Sequence, residues 1–403
     1  MMDIARFSAL LGQRQAGHTL PQDLYISDDS FAFDMDAIYR HSWLMAGMAC
    51  ELPKPGSYMA LNIGKWPVII TRDANDEIHA FHNSCRHRGS ILCQPGHGSA
   101  PKLVCPYHRW TYNLDGSLFA ATRMPADFEK GDHGLKPVQV RTVAGAIFIC
   151  LSDDPPAFDE FGDRFAEYAA PLNFKDMKLA GTDLMVEQAN WKLVMDNARE
   201  CYHCATGHPD LAKSFPVVFS GFFDAEGDRR ATEYAAAMDA LGLPHQAVQG
   251  DWWQMSRFAL NEGASTISMD GQHLVKKLLV EGNGGSVGSF RWALDPHLFA
   301  HATSDHVFTC SFLPVSATET HAHSRWYVHK DAVEGVDYNV DELKEVWLKT
   351  NLQDRDLAEN NHRGVVSPGY TPGPYSPDAE TLALQFADWY CSKAQAYIDT
   401  HAR

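Results

Sequence analysis

The chain has 403 residues, longer than one hydrophobic core usually sustains, and its 45% hydrophobic and 21% charged residues are those of a folded globular protein of about two domains. Fifty-one acidic residues against 34 Lys and Arg give a formal charge of -17, a field that repels phosphate backbones and anionic lipid and argues against nucleic-acid and membrane partners. No run reaches the roughly 20 apolar residues of a bilayer span, and Met1 to Thr19 lack the long apolar stretch of an export signal, so the expectation is a cytoplasmic protein whose nine cysteines are thiols rather than disulfides.

In chain order, residues 1–40 read as an N-terminal extension, with a short helix expected at Asp36 to Trp43. Val68 to Thr71 and Ile78 to Phe81, on either side of polar residues Asp73 to Asp76, predict a hairpin. Leu103 to Tyr107, Trp110 to Asn113, Val138 to Val143 and Ala146 to Leu151 continue in short strands, which makes 41–155 an all-β domain. Asp154-Pro155-Pro156 suits neither a ladder nor a helix interior and marks the boundary. In 156–403, Val186 to Cys204 has helical spacing, Thr266 to Leu279 and His306 to Val328 look strand-rich, and Tyr338 to Asn361 and Ala379 to Thr400 look like long helices. The second domain is therefore expected to be α+β, an antiparallel sheet with helices on one face.

Two constellations carry chemistry. Cys85-x-His87 and Cys105-x-x-His108 are separated by residues 88–104, and each pair can set a thiolate and an imidazole at the tip of one loop. Two cysteines on one iron and two histidines on the other are the ligands of a Rieske [2Fe-2S] centre; the same four residues also suit a tetrahedral zinc site. Cys93 and His97 have the wrong offset for either loop and read as structural.

In the second constellation, Asp196, Glu200 and His203 stand at i, i+4 and i+7, which on a helix is one face. Gly207 and Pro209 would let the chain turn and bring His208 toward His203. Two histidines and a carboxylate form the facial triad of Fe(II) oxygenases. The third ligand is sought in Gln353-Asp354-Arg355-Asp356, where Asp354 is the first candidate and Asp356 its rival. Cys201 and Cys204 with His208 offer a competing zinc knuckle.

Together these motifs resemble the α-subunit of Rieske non-haem iron oxygenases over nearly the whole chain. Phe81-His82-Asn83-Ser84, Glu200-Cys201-Tyr202-His203-Cys204, Val328 to Tyr338 and Pro372-Gly373-Pro374-Tyr375-Ser376 resemble more narrowly the branch acting on quaternary ammonium compounds, glycine betaine and proline betaine demethylases. Asp196, Ala198 and Phe299-Ala300-His301 depart from that branch. The resemblance implies a Rieske domain followed by a helix-grip-like catalytic domain, with Asp354 completing the triad. It also implies a head-to-tail homotrimer in which Glu200 relays electrons from the cluster of one subunit, at His87 or His108, to the iron of its neighbour, at His203 or His208.

Such chemistry consumes O2 and two electrons delivered singly, so it needs a separate NAD(P)H-dependent flavin or iron-sulfur reductase. A quaternary ammonium offers no N–H, and aromatic faces must hold it; Tyr202, Trp252 and Trp253 are the expected ones. The alternatives are hydroxylation of choline, carnitine or an aromatic ring, or a metal-stabilised redox carrier or binding protein with no catalysis. The carrier leaves the second constellation without purpose.

Overall fold

The computed structural model describes residues 4–217, 225–280 and 287–401. They form two compact units, one from Tyr39 to Ala157 and one that joins Met1–Ile38 to Phe158–Arg403.

The smaller unit is built from short strands: β1 (Leu44–Met48), β2 (Ser57–Ile63), β3 (Trp66–Arg72), β4 (Ile78–His82), β5 (Gly96–Ser99), β6 (Leu103–Val104), β7 (Thr111–Tyr112), β8 (Leu118–Ala120), β9 (Gln139–Val143) and β10 (Ala146–Cys150). They assemble as three antiparallel sheets in the orders β4-β3-β2-β5, β6-β7-β8 and β1-β10-β9. The expected hairpin is β3-β4, its turn closed by Asp73, whose carboxylate accepts the N–H groups of Asn75 and Glu77. Ile69, Phe81, Leu103, Trp110 and Tyr112 pack into a core that includes Cys85 and Cys105.

In the larger unit α1 (Ile4–Gly12), α2 (Asp23–Ile26) and α3 (Asp28–Ala37) come before the small unit in the chain, and α4 (Asp159–Ala169) follows it. Then come β11 (Met177–Glu187), α5 (Trp191–Ala198), α6 (Cys204–Gly207), α7 (Ala225–Leu241), β12 (Val248–Gln249), β13 (Trp253–Phe258), β14 (Ser289–Leu294), β15 (Leu298–Ala302), β16 (His306–Ser316), β17 (Glu319–His329), α8 (Val340–Val366) and α9 (Thr381–His401). The strands make one antiparallel sheet in the order β11-β17-β16-β15-β14-β13-β12. Asn339 caps α8 by accepting the N–H groups of Asp341 and Glu342, and α8 packs on α5 and β11.

The N-terminal segment is tied to this unit by polar bonds as well as by packing. Asp34 of α3, fully buried, accepts from Trp191 Nε1 at 2.9 Å, from the Tyr390 hydroxyl at 2.7 Å and from the Lys192 ammonium. Three donors on α5 and α9 thus satisfy one buried carboxylate.

Three local expectations are corrected. Thr266 to Leu279 contains no strand: its buried Ile267, Val275 and Leu279 sit in a series of turns, with Gly271 at φ 78° and the Asp305 carboxylate accepting the N–H groups of Leu274 and Val275. The helix expected at Asp36 to Trp43 lies earlier, as α3, because Ser27 caps it through the Ser30 N–H; only a single 3-10 turn follows at Tyr39–His41. Cys201 and Cys204 form a disulfide, whereas the chain was expected to hold thiols only. No helix among the described residues is long and apolar enough to cross a membrane.

Candidate metal centres

In the small unit, the loop after β4 carries Cys85 and His87, and the loop between β6 and β7 carries Cys105 and His108. The two loops close in the same way. Cys85 O accepts from Gly89 N and Cys85 N donates to Ser90 O, both at 2.8 Å; Cys105 O accepts from Arg109 N at 3.1 Å and Cys105 N donates to Trp110 O at 2.8 Å. Each turn passes through a left-handed residue, Gly89 at φ 76° and Arg109 at φ 62°. Glycine meets that need without strain, and Arg109 meets it with some.

The cysteines are buried and the histidines exposed, with the two imidazoles edge to face at 4.8 Å between centroids and His87 stacked on Trp110 at 4.9 Å. The Tyr112 hydroxyl lies 3.3 Å from Cys85 Sγ and accepts the Arg86 N–H at 3.0 Å. Burial opposes ionisation of Cys105, but the Tyr107 N–H and the Cys85 thiol outweigh it and lower its pKa. A sulfur that receives backbone N–H bonds suits a cluster thiolate. Cys93 and His97 stand outside both loops, His97 bonded to Glu51 at 3.0 Å.

In the large unit, α5 begins at a strong cap, Asn190 accepting the Lys192 N–H at 3.0 Å, and ends at Ala198. The expected single helix through Glu200 and His203 is therefore not formed. Arg199 N bonds back to Asp196 O, tightening the last turn, and the Glu200 carboxylate takes the Tyr202 N–H that a helix would have used. The turn that results, rather than a shared helix face, brings the side chains together.

His203 Nε2 lies 3.0 Å from His208 Nε2 and 3.1 Å from Asp354 Oδ1, and His208 Nε2 lies 3.0 Å from the same oxygen. Donors about 2.1 Å from a metal at right angles are about 3.0 Å apart, against about 3.4 Å for tetrahedral angles, so this triangle fits one face of an octahedron. The outer nitrogens are engaged elsewhere. His203 Nδ1 bonds Glu200 Oε1 at 2.5 Å and His208 Nδ1 bonds Gln353 Oε1 at 2.8 Å, which leaves both Nε2 lone pairs directed at the common point. Burial works against charge on His203, but Asp354 and Glu200 push its pKa up to about 9, the mark of a site whose anions favour a positive centre.

Asp356 is exposed and pairs with Arg355 at 2.8 Å, away from the histidines. The rival zinc knuckle has no thiolates to offer, since Cys201 and Cys204 are bonded to each other.

A cavity of about 420 Å³ opens on the triad. Glu200, Cys201, His203, Cys204, His208 and Asp354 line it together with Phe215, Phe258, Phe299, His301 and Trp347. Their rings contact one another: Phe215 with Phe258 at 5.4 Å, Phe215 with His301 at 5.5 Å and His301 with Trp347 at 5.2 Å. The aromatic residues expected for this role lie elsewhere. Trp252 and Trp253 are buried against Phe161 of α4 at 4.8 and 5.9 Å, and Tyr202 is half exposed outside the lining. Gln353, Arg199, Arg291 and the aromatic enclosure were not anticipated. The alternation in β13 to β15 places Ser256, Phe258, Arg291, Phe299 and His301 on one face, but only the strand register makes them neighbours.

A paired cysteine-histidine centre in one unit and a two-histidine, one-carboxylate triad in the other define a class: oxygenases that pass electrons through an iron-sulfur cluster to a mononuclear iron. The Rieske [2Fe-2S] domain family matches residues 42–141, and the catalytic domain of ring hydroxylating alpha subunits matches 174–396. The chain is 44% identical to a glycine betaine monooxygenase oxygenase subunit of Pseudomonas aeruginosa over 95% of its length and 91% of that protein's. It is 41% identical to the protein of the same name from Chromohalobacter salexigens, over 98% and 89%. Among solved structures, a quaternary ammonium Rieske monooxygenase superposes with a TM-score of 0.73 at 23% identity, covering 96% of this chain and 98% of that one. Naphthalene 1,2-dioxygenase superposes with 0.72 at 21% identity, covering 96% and 95%, so the fold alone does not choose a substrate. The chain belongs to the Rieske non-haem iron oxygenases as an α-subunit, with a [2Fe-2S] cluster and a mononuclear iron as its cofactors.

Proposed function

We propose that this chain is the oxygenase component of a monooxygenase that removes an N-methyl group from a quaternary ammonium compound of the glycine betaine or proline betaine type. The observation that carries the reading is the convergence of His203, His208 and Asp354 on a cavity also lined by aromatic rings. The likeness to glycine betaine monooxygenase subunits over nearly the whole chain supports it.

In this reading Cys85, His87, Cys105 and His108 hold the cluster, and His203, His208 and Asp354 hold the iron. When bound, the two groups supply single-electron relay and activation of O2 for insertion into a C–H bond. Phe215, Phe258, Phe299 and Trp347 present π faces to a cation that cannot be hydrogen-bonded at nitrogen, and exclude water from the reacting methyl. Gln353 fixes the tautomer of His208, and Glu200 does the same for His203. In a homotrimer Glu200 also bridges to a cluster histidine of the neighbouring subunit and carries the electron path.

One methyl C–H is hydroxylated, and the product breaks its C–N bond to give formaldehyde and the tertiary amine, which takes the proton. The sum is substrate, O2, two electrons and two protons going to demethylated amine, formaldehyde and water. A separate NAD(P)H-dependent reductase supplies the electrons. Aromatic-ring hydroxylation is disfavoured by the charged residues Glu200, Asp354, Asp378, Arg199 and Arg291 in the lining.

The test is anaerobic purification followed by counting metals and assaying formaldehyde with reductase, NAD(P)H and glycine betaine. About three irons per chain, a Rieske EPR signal on reduction and formaldehyde equal to O2 consumed are expected. A zinc-loaded protein without that signal overturns the reading.

A further inference from the structure

The cavity contains a positive site that the demethylation chemistry does not use. Arg291 lies at the centre of β14, directly opposite Ser256 of β13 and His301 of β15, and all three line the cavity. Its guanidinium makes no hydrogen bond or ion pair among the described residues. Asp295, the carboxylate whose charge acts on it, is already engaged by Arg199 Nη2, and both partners of that pair are buried.

Arg199 lines the same cavity, is almost wholly buried, and has its Nε and Nη1 without partners among the described residues. Asp295 is thus bonded by Arg199 alone, and Arg199 Nε and Nη1 and the Arg291 guanidinium have no partner among the described residues. Burial, then the charge of Arg199, pushes the pKa of Arg291 down to about 10, which still leaves it charged at neutral pH. His301 is no counter-charge: burial and then Arg291 drive its pKa well below the usual value, and its Nδ1 bonds Ser289 at 2.9 Å. A part-buried, unpaired cation is costly to keep unless an anion arrives to pair with it. A planar guanidinium is shaped to receive a carboxylate through two N–H bonds.

We propose that Arg291, backed by Arg199, is the receptor for a carboxylate on the substrate, so that the cavity selects a zwitterion, a trimethylammonium and a carboxylate joined by a short spacer, over a quaternary ammonium alcohol. The inference rests on the proposed demethylation and deepens it. The aromatic enclosure takes one end of the molecule and the arginine pair the other. Choline fills the enclosure but brings no anion to Arg291 or to the unbonded Arg199 Nε and Nη1. Arg291 acts on binding and on placing the methyl group, without touching the reacting atoms.

Two measurements on the iron-loaded protein test this. The first is the ratio of kcat/KM for glycine betaine to that for choline, in wild type, Arg291→Gln and Arg291→Lys. Loss of a buried charge partner should cut the ratio by at least about 30-fold in Arg291→Gln, through KM for glycine betaine, with Arg291→Lys intermediate. An unchanged ratio in both variants, or equal losses for both compounds, overturns the proposal.

The second uses wild type only and so stands even if the variants do not fold. 3,3-Dimethylbutanoate, the uncharged-carbon counterpart of glycine betaine, should bind at least about 30-fold more tightly than its amide by calorimetry. Equal affinities, or no binding of either, overturn the carboxylate receptor. If the acid is preferred while no trimethylammonium compound releases formaldehyde, the receptor stands and the demethylation reading fails.

Discussion

At the residue scale, Glu200 has both oxygens occupied, one by His203 Nδ1 and the other by the Tyr202 N–H. It orients a proposed iron ligand without being one, so Glu200→Gln should keep both metals while turnover drops about 10- to 100-fold. Rapid-freeze EPR of reduced enzyme mixed with O2 and substrate provides the check: the cluster signal should persist after mixing in the variant and vanish in wild type. Normal coupled turnover would remove Glu200 from the electron path. One Asp354 oxygen lies 3.0–3.1 Å from the Nε2 atoms of both imidazoles, and Asp354→Ala should lower iron from about three to about two per chain while leaving the Rieske signal intact. Loss of the cluster signal in that variant would mean a folding defect instead.

At the scale of elements, the triad joins α8 to residues 199–208, which follow α5, two segments about 150 residues apart in the chain that share His203–Asp354 and His208–Gln353 contacts. Iron should act as a cross-link between them. Its removal by a ferrous chelator is expected to raise hydrogen exchange in 199–208 and in the middle of α8, with β6 and β7 unaffected. Uniform exchange before and after chelation would contradict a structural role for the metal. The buried Asp34 knot joins α3, α5 and α9 in a comparable way. Asp34→Ala strands the Lys192 ammonium and two further donors, and should cost about 3–5 kcal/mol in urea unfolding. A loss below about 1 kcal/mol would show that Lys192 is neutral in the fold.

At the scale of the whole molecule, pH acts on stability through acids that the fold keeps protonated. Burial raises the Asp196 carboxyl to about 8, with Glu380 adding to the shift and the Tyr375 hydroxyl, Arg14 and Lys192 opposing it; burial and then Asp354 raise Glu187 to about 8 as well. In the unfolded chain such groups release their proton near pH 4, so between about 4 and 8 the unfolded state gains what the folded state does not. Stability should therefore fall as pH rises through that window. Asp196→Asn should flatten the decline in Tm between pH 5 and 8 by a few degrees. An unchanged slope would assign the decline to Glu187 and other groups.

What the amino-acid sequence determined by itself was the chemistry of the centres and the class of each domain. Ligand pairs two or three residues apart, such as Cys85 and His87 or Cys105 and His108, are legible because a loop tip places them together whatever surrounds it. The same holds for the short strands up to Cys150 and the long amphipathic runs of α8 and α9, whose periods of two and 3.6 are local properties. Where the local pattern was trusted too far, a side chain competing for the backbone prevailed: Glu200 ended the helix expected to run to His203, and Asp305 held Thr266 to Leu279 in turns. Only the tertiary structure brought Asp354 rather than Asp356 to the two histidines, put Phe215, Phe258, Phe299 and Trp347 rather than Trp252 and Trp253 in the cavity lining, and set Arg291 beside Ser256 and His301. Those outcomes depend on strand register and on which face of a helix meets its neighbour, quantities fixed by packing between residues distant in the chain and carried by no short stretch of it.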